Sequence, residues 1–295
     1  MSISARLSLV ICTHNRAEDL RRCLGAVARL EDPVEVIVVD SASEPPCLEL
    51  VESFATSVPG LVCLREDRPG LSRARNRGLG AATGEIIAFL DDDAVPHPDW
   101  ARQIAGAFAA DPRVGCAGGA CIAVFPDCER PRWLSDRLLQ FAGITRFETA
   151  REARSSAEWP FGANIAFRRE ALETAGGFSE RLGRSGTQLL SGEESAAIEA
   201  VRAAGWSIAL VPSAAVDHAV PAERCISAYY WRRLWWTGVT RARTGNRLRT
   251  LVRLLGAAPM RLVLYGVTRD RLYLYRLAET AGFVHDIATP RPAAR

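Results

Sequence analysis

Short apolar runs alternate with amphipathic stretches through the first half of the chain. The apolar runs are nearly continuous and predict buried strands at 7–13, 34–40, 60–66, 85–93 and 114–125. The intervening stretches carry apolar residues at helical spacing and predict helices at 16–30, 46–57, 71–82 and 99–111. Buried strands that alternate with helices are typical of an α/β protein whose mostly parallel sheet is flanked by helices on both faces.

The second half of the chain has a different pattern. An irregular region at 126–160 holds three prolines, and regular elements resume after it at 162–178, 192–206 and 207–218. From 223 onward the pattern predicts helices. We therefore expect an α/β domain over 1–222, a C-terminal helical extension over 223–288 and a disordered tail over 289–295.

Composition narrows the class of protein. The chain has 295 residues, 48% hydrophobic residues and a net charge of +3, as expected for a globular protein that does not bind nucleic acid. Its eight cysteines are scattered without paired spacing, which favours reduced thiols and a cytoplasmic location. We expect no signal peptide before the first strand, because the N-terminal residues have no apolar h-region, and no membrane span, because no apolar run reaches ~18–20 residues. We expect a soluble protein, or at most a peripheral one.

Polar residues follow three of the predicted strands, at 13–16, 40–43 and 91–93. In open α/β sheets, ligands bind beyond the carboxyl ends of the strands. The third of these ends is Asp91-Asp92-Asp93, where like charges repel and raise one another's affinity for protons. A divalent cation with oxygen ligands would relieve that repulsion. The alternative is a solvated turn, which Asp often opens.

A cluster of arginines follows in the stretch "RPGLSRARNRGLG". We expect Ser72 to cap this helix, with Arg73, Arg75 and Arg77 in its first turns. Cations there oppose the helix dipole, which suggests that they hold an anion such as a diphosphate. The alternative is a solvated basic face. If these arginines hold an anion next to the three aspartates, the sequence predicts a site for a metal and a diphosphate.

Five segments, in this order over about 7–245, resemble the family 2 glycosyltransferases of the GT-A fold: "LVICTHNRAEDLRRCL", "VEVIVVDSAS", "GLSRARNRGLGAATGEIIAFLDDD", "FGANIAFRREALETAGGFSERLG" and "SGEESAAIEAVRAAGWSIALVPSAAVDH". The resemblance implies a metal-dependent, inverting enzyme of the hexosyltransferase type. It would move one sugar from a nucleoside diphosphate sugar, with a UDP-sugar favoured, to a hydroxyl of a glycan, a lipid-linked saccharide or a small molecule. The QxxRW signature of processive synthases is absent, which favours transfer of a single sugar.

The resemblance also assigns roles to individual residues. It implies that Asp91 and Asp93, the outer positions of a DxD-type motif, hold Mn²⁺ or Mg²⁺, with His218 as a further ligand. The residues implied to contact the nucleotide sugar are Thr13, Asn15, Asp40, Arg75, Asp92, Gly162 and Asn164.

The catalytic base is implied at Glu194, with Glu193 as the next candidate. Many family members have Gly-Glu-Asp where this chain has Gly192-Glu193-Glu194. A longer carboxylate can still accept a hydroxyl proton. Alternatively, Ser191 and Glu194 form a capping box, with a structural role only.

Two other functions remain open at the level of the sequence. A nucleotidyltransferase would use the same aspartates, but it would need a glycine-rich loop after the first strand, where "CTHNRAEDL" has no glycine. A non-catalytic nucleotide-sugar-binding protein would keep the aspartates and need no base.

The predicted C-terminal helices are strongly basic. Between 224 and 276 there are twelve arginines and one carboxylate, Asp270, together with the aromatic run "YYWRRLWW". Basic helices with aromatic and aliphatic faces bind anionic membrane surfaces, which predicts peripheral contact at the inner face of a membrane. The alternative is a helical pair packed on the protein with a solvated arginine face.

Overall fold

The computed structural model describes residues 7–186 and 188–289, which pack as two compact units. The first unit comprises 7–124, 143–186 and 193–219, and the second comprises 125–142, 188–192 and 220–289. The tail expected at 289–295 lies outside the described residues except for residue 289. The domain division at residue 222 stays a prediction.

The first unit is built on a nine-stranded sheet. Its strands are β1 (Leu7–Thr13), β2 (Glu35–Ser41), β3 (Val62–Glu66), β4 (Ile86–Asp91), β5 (Ala94–Pro96), β6 (Val114–Val124), β7 (Arg151–Glu152), β8 (Asn164–Arg168) and β9 (Ser207–Ala219). The strand order is β3-β2-β1-β4-β8-β6-β9-β5, and β7 pairs with β9.

Three of the four helices predicted between 16 and 111 lie within three residues of their predicted bounds, whereas the one predicted at 46–57 covers only 48–52. Ten α-helices occur in the described residues of the two units. They are α1 (Ala17–Val27), α2 (Leu48–Glu52), α3 (Leu71–Ala81), α4 (Trp100–Ala110), α5 (Asp136–Leu139), α6 (Arg169–Thr174), α7 (Glu193–Ala203), α8 (Ser227–Thr244), α9 (Arg247–Thr268) and α10 (Arg271–Ala288). The α/β class expected from the sequence is therefore confirmed.

The parallel part of the sheet brings the polar strand ends together. Strand β1 pairs in parallel with both β2 and β4, and the register places Thr13 beside Asp40 and Cys12 beside Asp91. The three strand ends thus meet at one edge, as parallel strands require. Beyond β4 the sheet is mixed, because β8 runs antiparallel between β4 and β6, while β6 and β9 are parallel.

Both faces of the sheet are buried, which explains the continuous apolar runs. On β1, Leu9 and Ile11 pack into the core that includes Trp100 of α4. Val10 faces the opposite core, together with Ala74 of α3. Successive residues of a strand point to opposite faces, so a strand covered by helices on both sides has apolar residues at almost every position.

In the second unit, α10 packs against both α8 and α9. Glycines allow the close approach of α8 and α10: a Cβ at Gly238 would lie 2.0 Å from the Glu279 carbonyl oxygen, and one at Gly282 would lie 2.2 Å from that of Trp235. By length and composition, α9 could cross a membrane, and almost none of it is buried. The expectation that no segment reaches this length and apolarity is therefore wrong for α9, whose arginines interrupt the apolar run in the sequence.

Candidate functional site

The three aspartates lie at the end of β4 and in the turn that follows. Asp92 and Asp93 are buried, whereas Asp91 is partly exposed. Thr13 Oγ1 donates a hydrogen bond to Asp92 Oδ2 over 2.8 Å. The Arg16 guanidinium donates from Nη1 to Asp92 Oδ1 over 2.6 Å and from Nη2 to Asp93 Oδ2 over 2.8 Å. Burial raises the pKa of Asp92 to about 7 despite the Arg16 charge, and the neighbouring aspartates add to the effect.

His218 of β9 completes a potential metal site. Its Nε2 lies 3.2 Å from Asp93 Oδ1, and ligand atoms of Asp91, Asp93 and His218 all lie within 4.8 Å of one another. Among the described residues, the buried His218 Nδ1 has no hydrogen-bond partner. A Cβ at Gly143 would come within 3.1 Å of the imidazole Cε1, so the glycine keeps space beside the ring. Two carboxylates and an imidazole are suitable ligands for Mn²⁺ or Mg²⁺.

Arg75 connects three parts of the site. From α3, its Nη1 donates to Glu193 Oε1 over 2.8 Å, and its Nη2 donates to Asp91 Oδ1 over 3.3 Å and to the Gly162 carbonyl over 3.1 Å. Its guanidinium carbon lies 5.4 Å from the centre of the Phe178 ring. A Cβ at Gly162 would lie 2.5 Å from Arg75 Nη2, so a glycine is needed for this contact.

The two glutamates of α7 have different surroundings. Glu193 is buried against Arg75, whereas Glu194 is partly exposed. Burial, reinforced by the Glu194 charge, raises the pKa of Glu193 to about 8 against the opposing effect of Arg75. Only Glu193 is held by an arginine of the site, which leaves Glu194 as the more accessible carboxylate.

The capping box is not formed. Helix α7 begins at Glu193, after Gly192 with a φ of +95°. The Ser191 amide donates to Thr240 Oγ1 over 3.3 Å rather than to a carboxylate of α7. The capping-box interpretation of Glu194 is therefore wrong.

The expectation that Ser72 caps α3 is wrong. The helix begins at Leu71, as predicted, and the Ser72 hydroxyl donates to the Leu182 carbonyl over 2.8 Å instead of capping the helix. Arg73 pairs with Glu180 at 2.9 Å. Of the three arginines in this segment, Arg75 is the one that contacts the carboxylates of the site.

A cavity of about 470 Å³ opens beside the ends of β1 and β2. Thr13, Asn15 and Arg16 line one side of it, and residues of the segment 43–53 line the other. The Asn15 backbone amide donates to Ser43 Oγ over 2.9 Å, and the Asn15 side-chain oxygen Oδ1 accepts from the Glu44 backbone amide over 2.7 Å. These bonds fix the two walls to each other.

Asp40 holds the loop that lines this cavity by hydrogen bonds to its backbone amides. Its carboxylate accepts hydrogen bonds from the Ser43 amide at 2.9 Å, from the Cys47 amide at 3.1 Å and from Arg65 Nη1 at 2.9 Å. Burial opposes ionisation, but these hydrogen bonds and the Arg65 charge hold the pKa of Asp40 below its ordinary value. Asp40 thus orders the cavity wall.

Asn164 of β8 pairs with Leu90, the residue before Asp91. Its side chain is fully buried, donates to the carbonyls of Ala120 and Ala214 over 3.1 and 2.8 Å, and accepts from Trp100 Nε1 over 2.9 Å. The structure thus engages both ends of the Asn164 amide within the protein.

Sequence reasoning missed three residues: Arg16 on the aspartates, Arg65 on Asp40, and Phe178 beneath Arg75. Only Arg16 had a usable signal, since it directly follows the polar end of β1.

Comparison with known proteins agrees with this geometry. The family model described as glycosyl transferase family 2 matches residues 8–176, more than half of the chain. A glucosyl-dolichyl phosphate glucuronosyltransferase of Haloferax volcanii is 24% identical over 80% of this chain and 76% of its own length. The succinoglycan biosynthesis protein ExoM of Rhizobium meliloti is 28% identical over 80% of this chain and 74% of its own length.

Solved structures share the fold. The mannosyltransferase PcManGT from Pyrobaculum calidifontis, in complex with GDP-Man and Mn²⁺, superimposes with a TM-score of 0.64 at 23% identity, over 97% of this chain and 89% of that one. S. aureus TarS 1–349 in complex with UDP gives a TM-score of 0.54 at 15% identity, over 94% and 89% of the two chains. These likenesses confirm the GT-A architecture, and with the family match they show that this chain is a glycosyltransferase that belongs to family 2.

Proposed function

We propose that this enzyme transfers one sugar, with inversion, from a nucleoside diphosphate sugar to a hydroxyl acceptor and depends on a divalent metal. The observation that carries the proposal is the convergence of Asp91, Asp93 and His218 within 4.8 Å, next to Arg75 and close to the strand ends that line the cavity. Carboxylates at the carboxyl edge of a parallel sheet beside a nucleotide-sized cavity suit a metal–diphosphate group.

The donor would place its nucleoside in the cavity of about 470 Å³, against Thr13 and Asn15. Asp40 would keep the opposite wall in place through Ser43 and Cys47. The similar structures hold GDP-Man in one case and UDP in the other. A UDP-sugar remains our first choice from the sequence, and the base is decided by the experiment below.

Asp91, Asp93 and His218 would hold the Mn²⁺ or Mg²⁺ ion, which when bound supplies positive charge opposite the departing diphosphate. Thr13 and Arg16 hold the Asp92 carboxylate by hydrogen bonds. Arg16 also donates a hydrogen bond to Asp93 Oδ2, while Asp93 Oδ1 lies next to His218 Nε2. The polar partners thus orient the carboxylates before any ligand arrives, which lowers the cost of organising the site.

Glu194 is proposed as the general base that accepts the proton of the acceptor hydroxyl. It is partly exposed, so an acceptor can reach it, and its charge acts on both Glu193 and Arg75. Glu193 is held by Arg75 at 2.8 Å and would serve to position that guanidinium.

The acceptor is proposed to be a glycan or a lipid-linked saccharide, because the relatives' names include a glucosyl-dolichyl phosphate glucuronosyltransferase and a succinoglycan biosynthesis protein. A cytoplasmic location, peripheral at the inner membrane face, is part of the same proposal. All eight cysteines lie among the described residues and form no disulfide, which suits a reducing compartment.

A thermal-shift panel of UDP-, GDP- and dTDP-sugars, with and without Mn²⁺, tests the donor and the metal. We expect one nucleotide class to raise the Tm only with Mn²⁺, since a ligand specific for the native state adds ~2.7 kcal/mol at a hundredfold excess over Kd. Asp93→Asn should abolish the metal-dependent shift. The control Asp217→Asn, at a half-exposed partner of His97, should leave it intact.

Turnover then separates an enzyme from a binding protein. Glu194→Gln should keep the nucleotide-sugar shift and lose transfer of the sugar to the acceptor. No shift with any nucleotide would refute the donor site, while full turnover in Glu194→Gln would refute the assignment of the base.

A further inference from the structure

Helix α9 presents an apolar surface that the described residues leave uncovered. Seven large apolar side chains of α9 are more than half exposed: Leu248 (73%), Val252 (63%), Leu255 (52%), Met260 (59%), Leu262 (52%), Val263 (60%) and Val267 (78%). Steps of three or four residues separate 248, 252 and 255, and again 263 and 267, so the exposed positions follow one side of the helix. We call these seven residues the α9 outer face. An exposed stripe of this size marks an interaction surface.

The opposite side of α9 is anchored within the second unit. Leu254 is buried in a small core with Ala242 and Phe283. The Arg261 guanidinium donates from Nη1 to the Arg276 carbonyl over 3.0 Å and to Thr280 Oγ1 over 2.9 Å. These contacts fix which side of α9 points outward, so the outer face is a stable feature of the unit.

The helices that include the outer face are strongly basic. Helix α9 has four arginines and no carboxylate, and the span 227–288 from the start of α8 to the end of α10 has eleven arginines and three carboxylates. Glu279 is fully buried and pairs with both Arg241 and Arg276, so one carboxylate serves two arginines. Burial lowers the pKa of Arg241, and the neighbouring Arg276 and Arg253 add to that effect against the Glu279 charge. Arginines thus outnumber carboxylates in this part of the chain. An anionic partner would relieve this excess.

The partner can be identified from apolarity and charge together. A second copy of the chain would bring α9 against α9, and with no carboxylate in either helix their arginines would repel. An anionic bilayer offers both an apolar layer and negative headgroups. We propose that the α9 outer face docks on an anionic lipid membrane, with α9 lying in the headgroup layer parallel to the membrane plane.

The in-plane orientation follows from the anchored side. At ~1.5 Å per residue α9 is long enough to cross a bilayer. Crossing would require the hydrogen bonds of Arg261 to break and would place Arg253 and Arg261 near the hydrocarbon centre. Lying flat keeps those bonds and lets the arginine side chains reach the headgroups. The inference deepens the peripheral location proposed above by naming its surface and lipid charge, and it does not depend on the transfer reaction.

Vesicle flotation of the full chain tests the proposal. We expect binding to phosphatidylcholine vesicles with about 30% phosphatidylglycerol, weak binding to phosphatidylcholine alone, and release by about 0.5 M NaCl. The double substitution Val252→Asp with Val263→Asp should reduce the partition coefficient at least about tenfold, because it places carboxylates in the apolar layer and cancels positive charge. Both sites are highly exposed, so folding should be unaffected.

Matched controls separate the alternatives. Leu48→Asp, at a site that is 47% exposed on α2, should leave vesicle binding unchanged. The Val252/Val263 variant should keep the metal-dependent nucleotide-sugar shift, so a failure of the donor site and a failure of membrane docking are read separately. Unchanged vesicle binding in the Val252/Val263 variant would overturn the proposal. If the substitutions also converted a dimer to a monomer in sedimentation velocity, that result would assign the α9 outer face to a second copy of the chain. Retention on vesicles after high salt and alkaline carbonate would overturn the in-plane orientation.

Discussion

Replacement of Arg75 by methionine should destabilise the protein more than any exposed arginine replacement. The Arg75 and Glu193 side chains are only 3% and 5% exposed and pair at 2.8 Å. Methionine fills much of the same volume but removes the charge, so Glu193 is left buried without its cation. Loss of one partner of a buried ion pair typically costs about 3–5 kcal/mol.

The protonation of Glu193 places the expected loss near the lower end of that range. Burial raises the pKa of Glu193 to about 8 even beside Arg75, and loss of the Arg75 charge would raise it further. In the variant the buried carboxyl therefore holds a proton at pH 7 instead of an uncompensated charge. We therefore expect a loss of about 3 kcal/mol in the free energy of unfolding at pH 7. This is a large share of the ~5–15 kcal/mol by which native proteins are usually stable.

The pH dependence gives a second readout with a definite sign. A carboxyl whose pKa is higher in the folded state binds more protons there, so stability falls as pH rises from the unfolded value towards about 8. The slope cannot exceed ~1.4 kcal/mol per pH unit for one group. Arg75→Met raises the folded pKa further, so its deficit should grow above pH 8. Glu193→Gln should remove this contribution to the pH dependence.

Urea unfolding of both single variants and the double variant measures the coupling. We expect a coupling energy of ~1–3 kcal/mol between the two sites at an unchanged m value. Arg113→Met removes an exposed pair with Asp111 and should cost less than ~1 kcal/mol. Additive effects at positions 75 and 193, or a loss at Arg75 no larger than at Arg113, would refute the reasoning.

Three further substitutions or treatments test other contacts. Gly162→Ala would place a methyl group 2.5 Å from a buried guanidinium nitrogen of Arg75 and should lower the free energy of unfolding by ~1–3 kcal/mol. The control Gly266→Ala, with open space around it, should not destabilise the protein. Equal effects of the two substitutions would contradict the tight packing at Gly162. The Sγ atoms of Cys128 and Cys225 lie 3.1 Å apart, so mild copper-phenanthroline oxidation should join them with loss of both thiol hydrogens in intact mass, and persistence of two reactive thiols would count against their proximity. Asp40→Asn should lose ~1–3 kcal/mol of stability at pH 7 and less at pH 3, because a carboxylate with a lowered pKa stabilises the fold only while ionised; an equal loss at both pH values would argue against a charged Asp40.

The sequence pattern predicts the sheet well because burial on both faces leaves a direct trace. Strand β1 was predicted to the residue, and the meeting of three polar strand ends follows from parallel pairing. The antiparallel insertion of β8 was not foreseen, since a short apolar strand such as "NIAFR" does not indicate its direction. The start of α3 at Leu71 was predicted, but the Ser72 cap was not formed, because the Ser72 hydroxyl is bonded to Leu182, a contact across 110 residues that no local pattern reports.

The site was predicted less completely than the sheet, for a similar reason. The aspartates are visible as a motif, but Arg16 meets Asp92 across 76 residues from a loop with no periodicity. The resemblance placed Asn164 at the donor sugar, while the structure uses its side chain to join β6, β9 and α4. A motif shows that a residue of the expected type is present in the expected segment. The contacts of its side chain depend on elements that are distant in sequence, so the motif does not predict them.

The balance of charge at the site explains why a divalent cation and the donor should bind together. Five carboxylates lie at the ends of β4 and α7, namely Asp91, Asp92, Asp93, Glu193 and Glu194, whereas two arginines, Arg16 and Arg75, contact them. Both arginines are held by hydrogen bonds in fixed positions, so they cannot neutralise the remaining negative charge. Burial raises the pKa of Asp92 and of Glu193, and the neighbouring carboxylates add to both shifts. A diphosphate alone would add negative charge to that excess. A divalent ion supplies two positive charges against that excess, so the metal and the nucleotide sugar should each bind weakly alone and strongly together.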